Sequence, residues 1–158
     1  MENNNKFFKI SEKQFIIDSV NNYCNYDEIK VPKRATKYSA GYDFYSITDI
    51  IINPGTTVKI PTGIKVSLNS DCVLLLVPRS SLGFKYKLKF DNTVGVIDSD
   101  YINSDNEGHI WASMTNWSNK VLDIKKGDAI FQGIIVKFYT TVDDNVDRIR
   151  NGGIGSTD

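Results

Sequence analysis

Alternation of apolar and polar residues along the chain predicts a protein built mainly from β-strands. Apolar side chains recur at every second position from Ile64 to Leu68, which is the period of a strand with one buried face. Cys72 to Val77 and Ala129 to Phe138 are longer apolar runs, and Ile110 to Met114 is a shorter one. Their length and β-branched content are typical of buried strands.

The segments between these runs carry turn-forming residues at short intervals. Gly, Pro, Asn and Asp favour tight turns because they permit or preset the required backbone angles. The predicted turns are Asn53-Pro54-Gly55, Thr62-Gly63, Asn69-Ser70 and Lys126-Gly127-Asp128. Short strands joined by such turns indicate an all-β sandwich or barrel.

One short helix is predicted near the N-terminus, from Ser11 to Cys24. Ser11 and Gln14 have the spacing of a capping box, and apolar residues follow at helical intervals. The chain of 158 residues suits one domain. We assign residues 1–30 to an N-terminal extension of that domain, 31–142 to its β-rich body and 143–158 to a flexible arm, since the last segment is charged and then glycine-rich.

Composition excludes several classes of protein. Nineteen basic and nineteen acidic residues cancel, so no global field attracts nucleic acid. No apolar run approaches the roughly 20 residues of a membrane span, and the Asn-rich start does not resemble a secretory signal. We therefore expect no nucleic-acid or membrane partner and a cytoplasmic location, or the host-cell interior for a viral protein. Cys24 and Cys72 lie far apart in sequence, which fits reduced thiols and gives no zinc motif.

His109 is the only histidine, so any Ser-His or Cys-His nucleophile would have to use it. It adjoins a predicted strand, and we expect a half-exposed surface residue there instead of a catalytic base. The Gly-rich tail does not follow a strand or open a helix, which argues against a dinucleotide-binding motif.

Three other segments carry side chains suited to phosphate chemistry. Residues 78–85 place Arg, Lys and two hydroxyls directly after the most apolar strand. In an extended chain Asp98 and Asp100 would face one side, as a carboxylate pair or as a solvated hairpin tip. Residues 150–157 combine glycines with Arg and hydroxyl donors that suit an anion. Each segment alone also fits a polar turn or a frayed terminus.

Taken in order, five segments resemble the motifs of the homotrimeric dUTPase family, across about residues 31 to 157. They read AGYDFYS at 40–46, PRSSLG at 78–83, NTVGVIDSDY at 92–101, GDAIFQ at 127–132 and RNGGIGST at 150–157. The resemblance implies a jelly-roll-like β fold and three active sites, each shared by three subunits. The implied reaction converts dUTP and water to dUMP and pyrophosphate, which keeps uracil out of DNA and supplies dUMP for thymidylate synthesis.

The resemblance also implies a role for each motif residue. Asp98 would be the general base that deprotonates the attacking water, and Tyr101 would pack on the deoxyribose and exclude a 2′-hydroxyl. Mg²⁺ would be held by the triphosphate and water, with Asp43 acting only through water. The implied substrate-binding residues are Arg79, Ser80, Ser81, Asn92, Val96, Ile97, Tyr101, Trp111, Gln132, Arg150, Gly153, Ile154, Gly155 and Ser156.

The chain departs from the family pattern at several positions. Ile154 replaces the usual aromatic residue over uracil. Arg148 and Arg150 flank the position of the usual Arg, and we assign its role to Arg150. Residues 102–108 form a longer hairpin tip than the family has, Ala129 replaces a frequent Arg and Ser81 a common Gly.

Three alternatives stay open at the level of sequence. A related dCTP deaminase shares the fold and uses an acidic residue after the third motif, for which Glu107 is a candidate. A nucleotide-responsive regulator would instead bind a protein partner through the extra loop and tail. The third alternative is a β-sandwich with turn-rich tips and no active site.

Overall fold

The computed structural model describes residues 4–148, 150 and 152, which form twelve strands and two short α-helices. The strands are β1 (Lys6–Lys9), β2 (Lys33–Arg34), β3 (Tyr42–Tyr45), β4 (Ile50–Ile52), β5 (Thr57–Pro61), β6 (Ile64–Ser67), β7 (Cys72–Pro78), β8 (Leu88–Phe90), β9 (Gly95–Ile97), β10 (Trp111–Asn116), β11 (Leu122–Ile124) and β12 (Ala129–Lys137). The helices are α1 (Glu12–Ile17) and α2 (Ser80–Tyr86), and 3₁₀ turns cover Val20–Asn22, Tyr26–Glu28 and Ser99–Asn103. The prediction of a mainly β protein is confirmed.

The strands pair in antiparallel sheets. The largest sheet has the order β2-β3-β12-β7-β9, and a three-stranded sheet has the order β5-β10-β8. Two strand pairs, β1-β6 and β11-β4, complete the set found in the described residues. The long strands β7 and β12 lie side by side in the middle of the largest sheet and carry β9 at its edge.

The core lies against these two central strands. Leu74 and Leu76 of β7 are buried while their neighbours are partly exposed, as the alternating geometry of a strand requires. Phe131 of β12 stacks on Phe44 of β3 with ring centroids 4.8 Å apart. Gly133 permits this approach, because a Cβ there would lie 2.8 Å from a Leu74 methyl group and 3.0 Å from the Phe44 ring.

All four apolar runs form strands whose limits lie within two residues of the predicted ones. The predicted helix from Ser11 to Cys24 is too long, because α1 ends at Ile17. Ser11 does cap it, accepting a hydrogen bond from the Gln14 amide at 3.1 Å. Ser19 then adopts a left-handed conformation with φ of 56°, which breaks the helix and turns the chain back so that Val20 is fully buried.

The N-terminal segment packs onto the β body. Strand β1 pairs with β6 over its whole length, with Phe7 opposite Val66. The Phe7 ring contacts the ring of Phe44 edge-on at 5.6 Å, so this segment contributes to the core. Within the described residues, neither helix is long and apolar enough to cross a membrane.

Candidate functional site

The third motif lines a cavity of about 840 Å³ between the edge strand β9 and the strand β10. Asn92 precedes β9, Val96 and Ile97 lie on it, and Asp98 follows it. Tyr101 and Trp111 form further parts of the wall, and Arg150 reaches it from the C-terminal segment. Seven of the residues predicted to form the site are thus brought together in one place: Asn92, Val96, Ile97, Asp98, Tyr101, Trp111 and Arg150.

Local geometry explains why the turn between β8 and β9 holds its shape. Thr93 turns the chain with φ of 68°, and the carboxylate of Asp91 accepts hydrogen bonds from the Ser113 and Thr115 hydroxyls of β10. Gly95 lies so close to β7 that a Cβ would stand 3.0 Å from the Leu76 Cβ. A larger residue at 95 would push the pocket wall away from the sheet.

Asp98 and Asp100 come together around one arginine. Asp98 precedes the 3₁₀ turn Ser99–Asn103, so the segment is not extended as we expected, yet both carboxylates reach the same guanidinium. Arg150 Nη2 lies 2.7 Å from Asp98 Oδ2, and Nε lies 3.0 Å from Asp100 Oδ1. The guanidinium carbon also lies 5.8 Å from the Tyr101 ring centroid. The side chain of Asp98 is 50% exposed, which leaves it open to water.

Tyr101 is held by its hydroxyl as well as by packing. Its ring is buried, and its hydroxyl donates to the His109 carbonyl at 3.2 Å. The Asn106 amide donates to the Tyr101 hydroxyl at 3.1 Å. Residues 102–108 form a loop and not the hairpin tip that we expected, because β9 pairs with β7 whereas β10 pairs with β5 and β8. This loop supports the pocket wall from behind.

His109 is fully buried, and the expectation of a half-exposed surface residue is wrong. Its Nε2 accepts a hydrogen bond from the Gly63 amide at 2.9 Å, and its Nδ1 lies 2.6 Å from Asp18 Oδ2. Burial lowers the pKa of His109 and outweighs the opposing effect of Asp18. No local sequence pattern predicts the burial of His109, because its partner Asp18, in the N-terminal segment that covers it, lies 91 residues away in the chain.

The residues of the first, second and fourth motifs form a separate group. Arg79 Nε lies 3.2 Å from Asp43 Oδ1, and Arg79 Nη1 donates to the Ala129 carbonyl at 3.2 Å. Ser80 and Ser81 are exposed in the first turn of α2, a helix that we predicted only as a turn. Arg79 and Ser81 line a smaller cavity of about 320 Å³.

Gln132 belongs with this second group. Its side chain donates to the Pro78 carbonyl at 3.5 Å, and β12 pairs with β7 at this point, with Gln132 opposite Val77. A Cβ on Gly41 would lie 2.1 Å from the Gln132 amide oxygen, so the first motif packs directly on the fourth. The predicted residues Gly153, Ile154, Gly155 and Ser156 lie outside the described residues.

Strand register explains why the two groups do not meet. In the antiparallel pair of β7 and β9, Leu74 lies opposite Ile97, which places Asp98 beside Val73. Arg79 stands six residues further along β7, about 20 Å away at roughly 3.3 Å per residue. Asp98 and Arg79 of one chain are therefore too far apart to contact the same phosphate group.

Glu107, the acidic residue that a deaminase would need, is engaged elsewhere. It accepts hydrogen bonds from the Ser11 amide at 3.1 Å and the Ser11 hydroxyl at 2.5 Å, and pairs with the Lys65 ammonium at 2.9 Å. Partial burial would raise the pKa of Glu107, but these partners outweigh it and lower the pKa from 4.5 to about 2. The carboxylate thus connects the loop 102–108 to the N-terminal segment.

Glu107→Gln is expected to lower the free energy of unfolding by about 1 kcal/mol at pH 7, after allowance for the partial exposure of the side chain. Because the carboxyl has a lower pKa in the folded state, its contribution is complete above pH 4.5 and disappears as the pH falls towards 2. Urea unfolding of both proteins between pH 7 and pH 2 tests this, with Asp147→Asn, at an exposed carboxylate, as control. A Glu107→Gln difference that did not change with pH would contradict the prediction.

The family is decided by comparison with known proteins. The family model described as dUTPase matches residues 27–158. The chain belongs to the dUTPase family. The identification from five motifs is confirmed.

Individual dUTPases are similar to this chain over most of its length. The deoxyuridine 5'-triphosphate nucleotidohydrolase of Lactococcus lactis subsp. lactis (strain IL1403) is 41% identical over 132 residues, which are 82% of this chain and 88% of the relative. The crystal structure of the Streptococcus mutans dUTPase has a TM-score of 0.68 at 34% identity, covering 85% of this chain and 97% of that one. The jelly-roll-like β fold is therefore confirmed.

A third comparison concerns metal. A mutant dUTPase from phage phi11 of S. aureus, whose structure concerns the coordination of a structural Mg(II) ion, has a TM-score of 0.67 at 22% identity over 92% of this chain and 98% of that one. That identity supports the fold alone. In the part of this dUTPase that the structure describes, no three His, Cys, Asp or Glu side chains cluster closely enough to hold a metal ion.

Proposed function

We propose that this dUTPase hydrolyses dUTP to dUMP and pyrophosphate in the cytoplasm, or in the host-cell interior for a viral protein. The observation that carries the proposal is the placing of Asp98 at a cavity whose wall includes Asn92, Val96 and Tyr101, with Arg150 beside it. A base, a wall for a nucleoside and a cation for phosphate oxygens are the groups that this reaction needs.

In the proposed reaction, Asp98 orients a water molecule and takes its proton. The water oxygen bonds to the α-phosphorus, the bond from that phosphorus to the bridging oxygen breaks, and pyrophosphate leaves with the bond electrons. The partial exposure of Asp98 gives water access to the carboxylate. Covalent catalysis by histidine or cysteine is unnecessary, because phosphoryl transfer depends chiefly on positioning and charge stabilisation.

Arg150 would change partners when substrate binds. An arginine fork fits phosphate oxygens as well as carboxylates, so a bound triphosphate competes with Asp98 and Asp100 for it. Transfer of Arg150 to the phosphates would release Asp98 to act on water. The contact between Arg150 and Asp98 thus keeps both groups close to their place of action.

Phosphate binding by the second motif would come from another subunit. Since Asp98 and Arg79 of one chain are about 20 Å apart along β7, a triphosphate beside Asp98 would receive Arg79, Ser80 and Ser81 from a neighbouring chain, with Gln132 supporting them. A homotrimer with shared sites supplies that arrangement.

A magnesium ion would be held mainly by the phosphates of the substrate. Mg²⁺ keeps several waters and is held in such enzymes by phosphates and one or two carboxylates, so a closed cage of protein ligands is not required. When bound, the ion neutralises charge on the phosphate oxygens. Asp43 would interact with it through water, from its place beside Arg79.

Pyrophosphate release from dUTP, dCTP, dTTP and UTP, each with Mg²⁺, tests the proposed function. We expect rapid turnover of dUTP alone, with discrimination arising from main-chain contacts to uracil and from the Tyr101 wall. Release of ammonia from dCTP would support the deaminase instead. A folded protein without turnover of any nucleotide would support the regulator, and either result would contradict the proposal.

A further inference from the structure

The N-terminal segment contacts the loop 102–108 and the adjoining His109 at two points, through residues that precede the family match. The match begins at residue 27, whereas Ser11 contacts Glu107 and Asp18 contacts His109. Glu107 and His109 flank Gly108, which lies directly behind the Tyr101 wall. The contact between Asp18 and His109 is the one that affects the pocket, because the His109 carbonyl accepts a hydrogen bond from Tyr101.

The hydrogen-bond partners of His109 determine which of its two ring nitrogens carries the proton. Because Nε2 accepts from the Gly63 amide, a neutral ring carries its proton on Nδ1, where it faces the Asp18 carboxylate at 2.6 Å. Protonating Nε2 would remove the acceptor for Gly63. The buried ring is thus fixed by a backbone group on one side and by a carboxylate on the other.

Two residues of the pocket wall depend on the position of this ring. The carbonyl of His109 accepts from the Tyr101 hydroxyl at 3.2 Å and from the Asn106 amide at 3.3 Å. The ring of Trp111 packs against the ring of His109, with the ring centroids 5.1 Å apart. A shift of His109 would therefore move Tyr101 and Trp111 together.

The intervening backbone leaves little freedom to absorb such a shift. Gly108 has φ of 73°, and a Cβ there would lie 2.7 Å from Ile102 Cα and 2.9 Å from the Tyr101 carbonyl oxygen. The loop is packed against the 3₁₀ turn that carries Tyr101. A displacement of His109 would consequently also displace Tyr101 in the pocket wall.

We propose that Asp18 and His109 are positioning residues that fix the Tyr101 and Trp111 wall and thereby set the preference for deoxyribose over ribose. The inference rests on the proposed function of the cavity. Neither residue contacts the reacting atoms, so they act on substrate fit and leave the proton transfer at Asp98 unchanged.

Kinetics of Asp18→Ala with dUTP and UTP provide the test. We expect KM for dUTP to rise about tenfold and the dUTP-to-UTP preference to fall about tenfold, with kcat within about twofold of the unsubstituted protein. Asp18→Asn keeps an oxygen acceptor for His109 and is expected to restore both values. Asp27→Ala, at an exposed residue of the same region, is the charge-matched control, and Tyr101→Ala is the positive control for lost discrimination.

A measurement on the unsubstituted protein covers the case in which Asp18→Ala does not fold. His109 is the single histidine, so its ring nitrogens give an unambiguous NMR signal. We expect the Nδ1–H form at pH 7 and a change of its chemical shifts on saturation with dUMP, with a smaller change for UMP at equal concentration.

The outcomes distinguish a failure of the proposed function from a failure of the positioning role alone. If the unsubstituted protein does not hydrolyse dUTP, the proposed function fails and this inference fails with it. If dUTP is hydrolysed, unchanged KM and preference in folded Asp18→Ala overturn the positioning role alone. An Nε2–H form, or identical histidine signals with and without dUMP, also overturns it.

Discussion

Asp98→Asn is expected to lower the turnover of dUTP by about 10²–10⁴-fold, the usual contribution of a positioned general base. The amide nearly preserves the size of the side chain but cannot accept a proton from water at neutral pH. Single-turnover release of pyrophosphate measures the step directly. Binding of dUTP, followed by tryptophan fluorescence, is expected to survive because Asn92, Val96 and Tyr101 still form the wall.

The control for this substitution removes an exposed carboxylate elsewhere. Asp27 lies in the 3₁₀ turn Tyr26–Glu28 and is exposed, and it lines neither of the two cavities described above. Asp27→Asn should therefore retain full turnover. Turnover of Asp98→Asn within tenfold of the unsubstituted protein, with binding intact, would exclude Asp98 as the base.

The strands were predictable from the sequence because their pattern is local. The run that forms β7 alternates between buried and partly exposed positions, and β12 carries a β-branched stretch bounded by a turn at Gly127. The helix that begins at Ser11 was also visible through its cap. Its early end was not, because Ser19 leaves helical geometry to bury Val20 in a core assembled from distant strands.

The motifs identify the family, but the strand register determines which motif residues lie close together in the structure. Sequence order alone does not reveal that Asp98 and Arg79 lie towards opposite ends of β7, since that follows from Leu74 pairing with Ile97. The burial of His109 depends similarly on the N-terminal segment folding back over it. Such contacts join residues far apart in the chain, and no local pattern encodes them.

Arg150→Ala is expected to lower turnover about 10²–10³-fold, as loss of a single charge-stabilising donor does in other active sites. Arg150→Lys should recover only part of this loss, because an ammonium cannot form the two parallel hydrogen bonds of a guanidinium. Arg148→Ala is the matched control, since Arg148 is an exposed arginine two residues away. A larger loss in Arg148→Ala than in Arg150→Ala would reverse the assignment between these two arginines.

The combination of Asp98→Asn with Arg150→Ala separates two possible actions of the arginine. If Arg150 acts only by holding Asp98, the double variant should be no slower than Asp98→Asn alone. If Arg150 moves to the phosphates, the double variant should lose a further factor close to the loss seen in Arg150→Ala. We expect the second result, because Arg150 Nη2 and Nε already span Asp98 and Asp100 in the two-point geometry that phosphate oxygens would occupy.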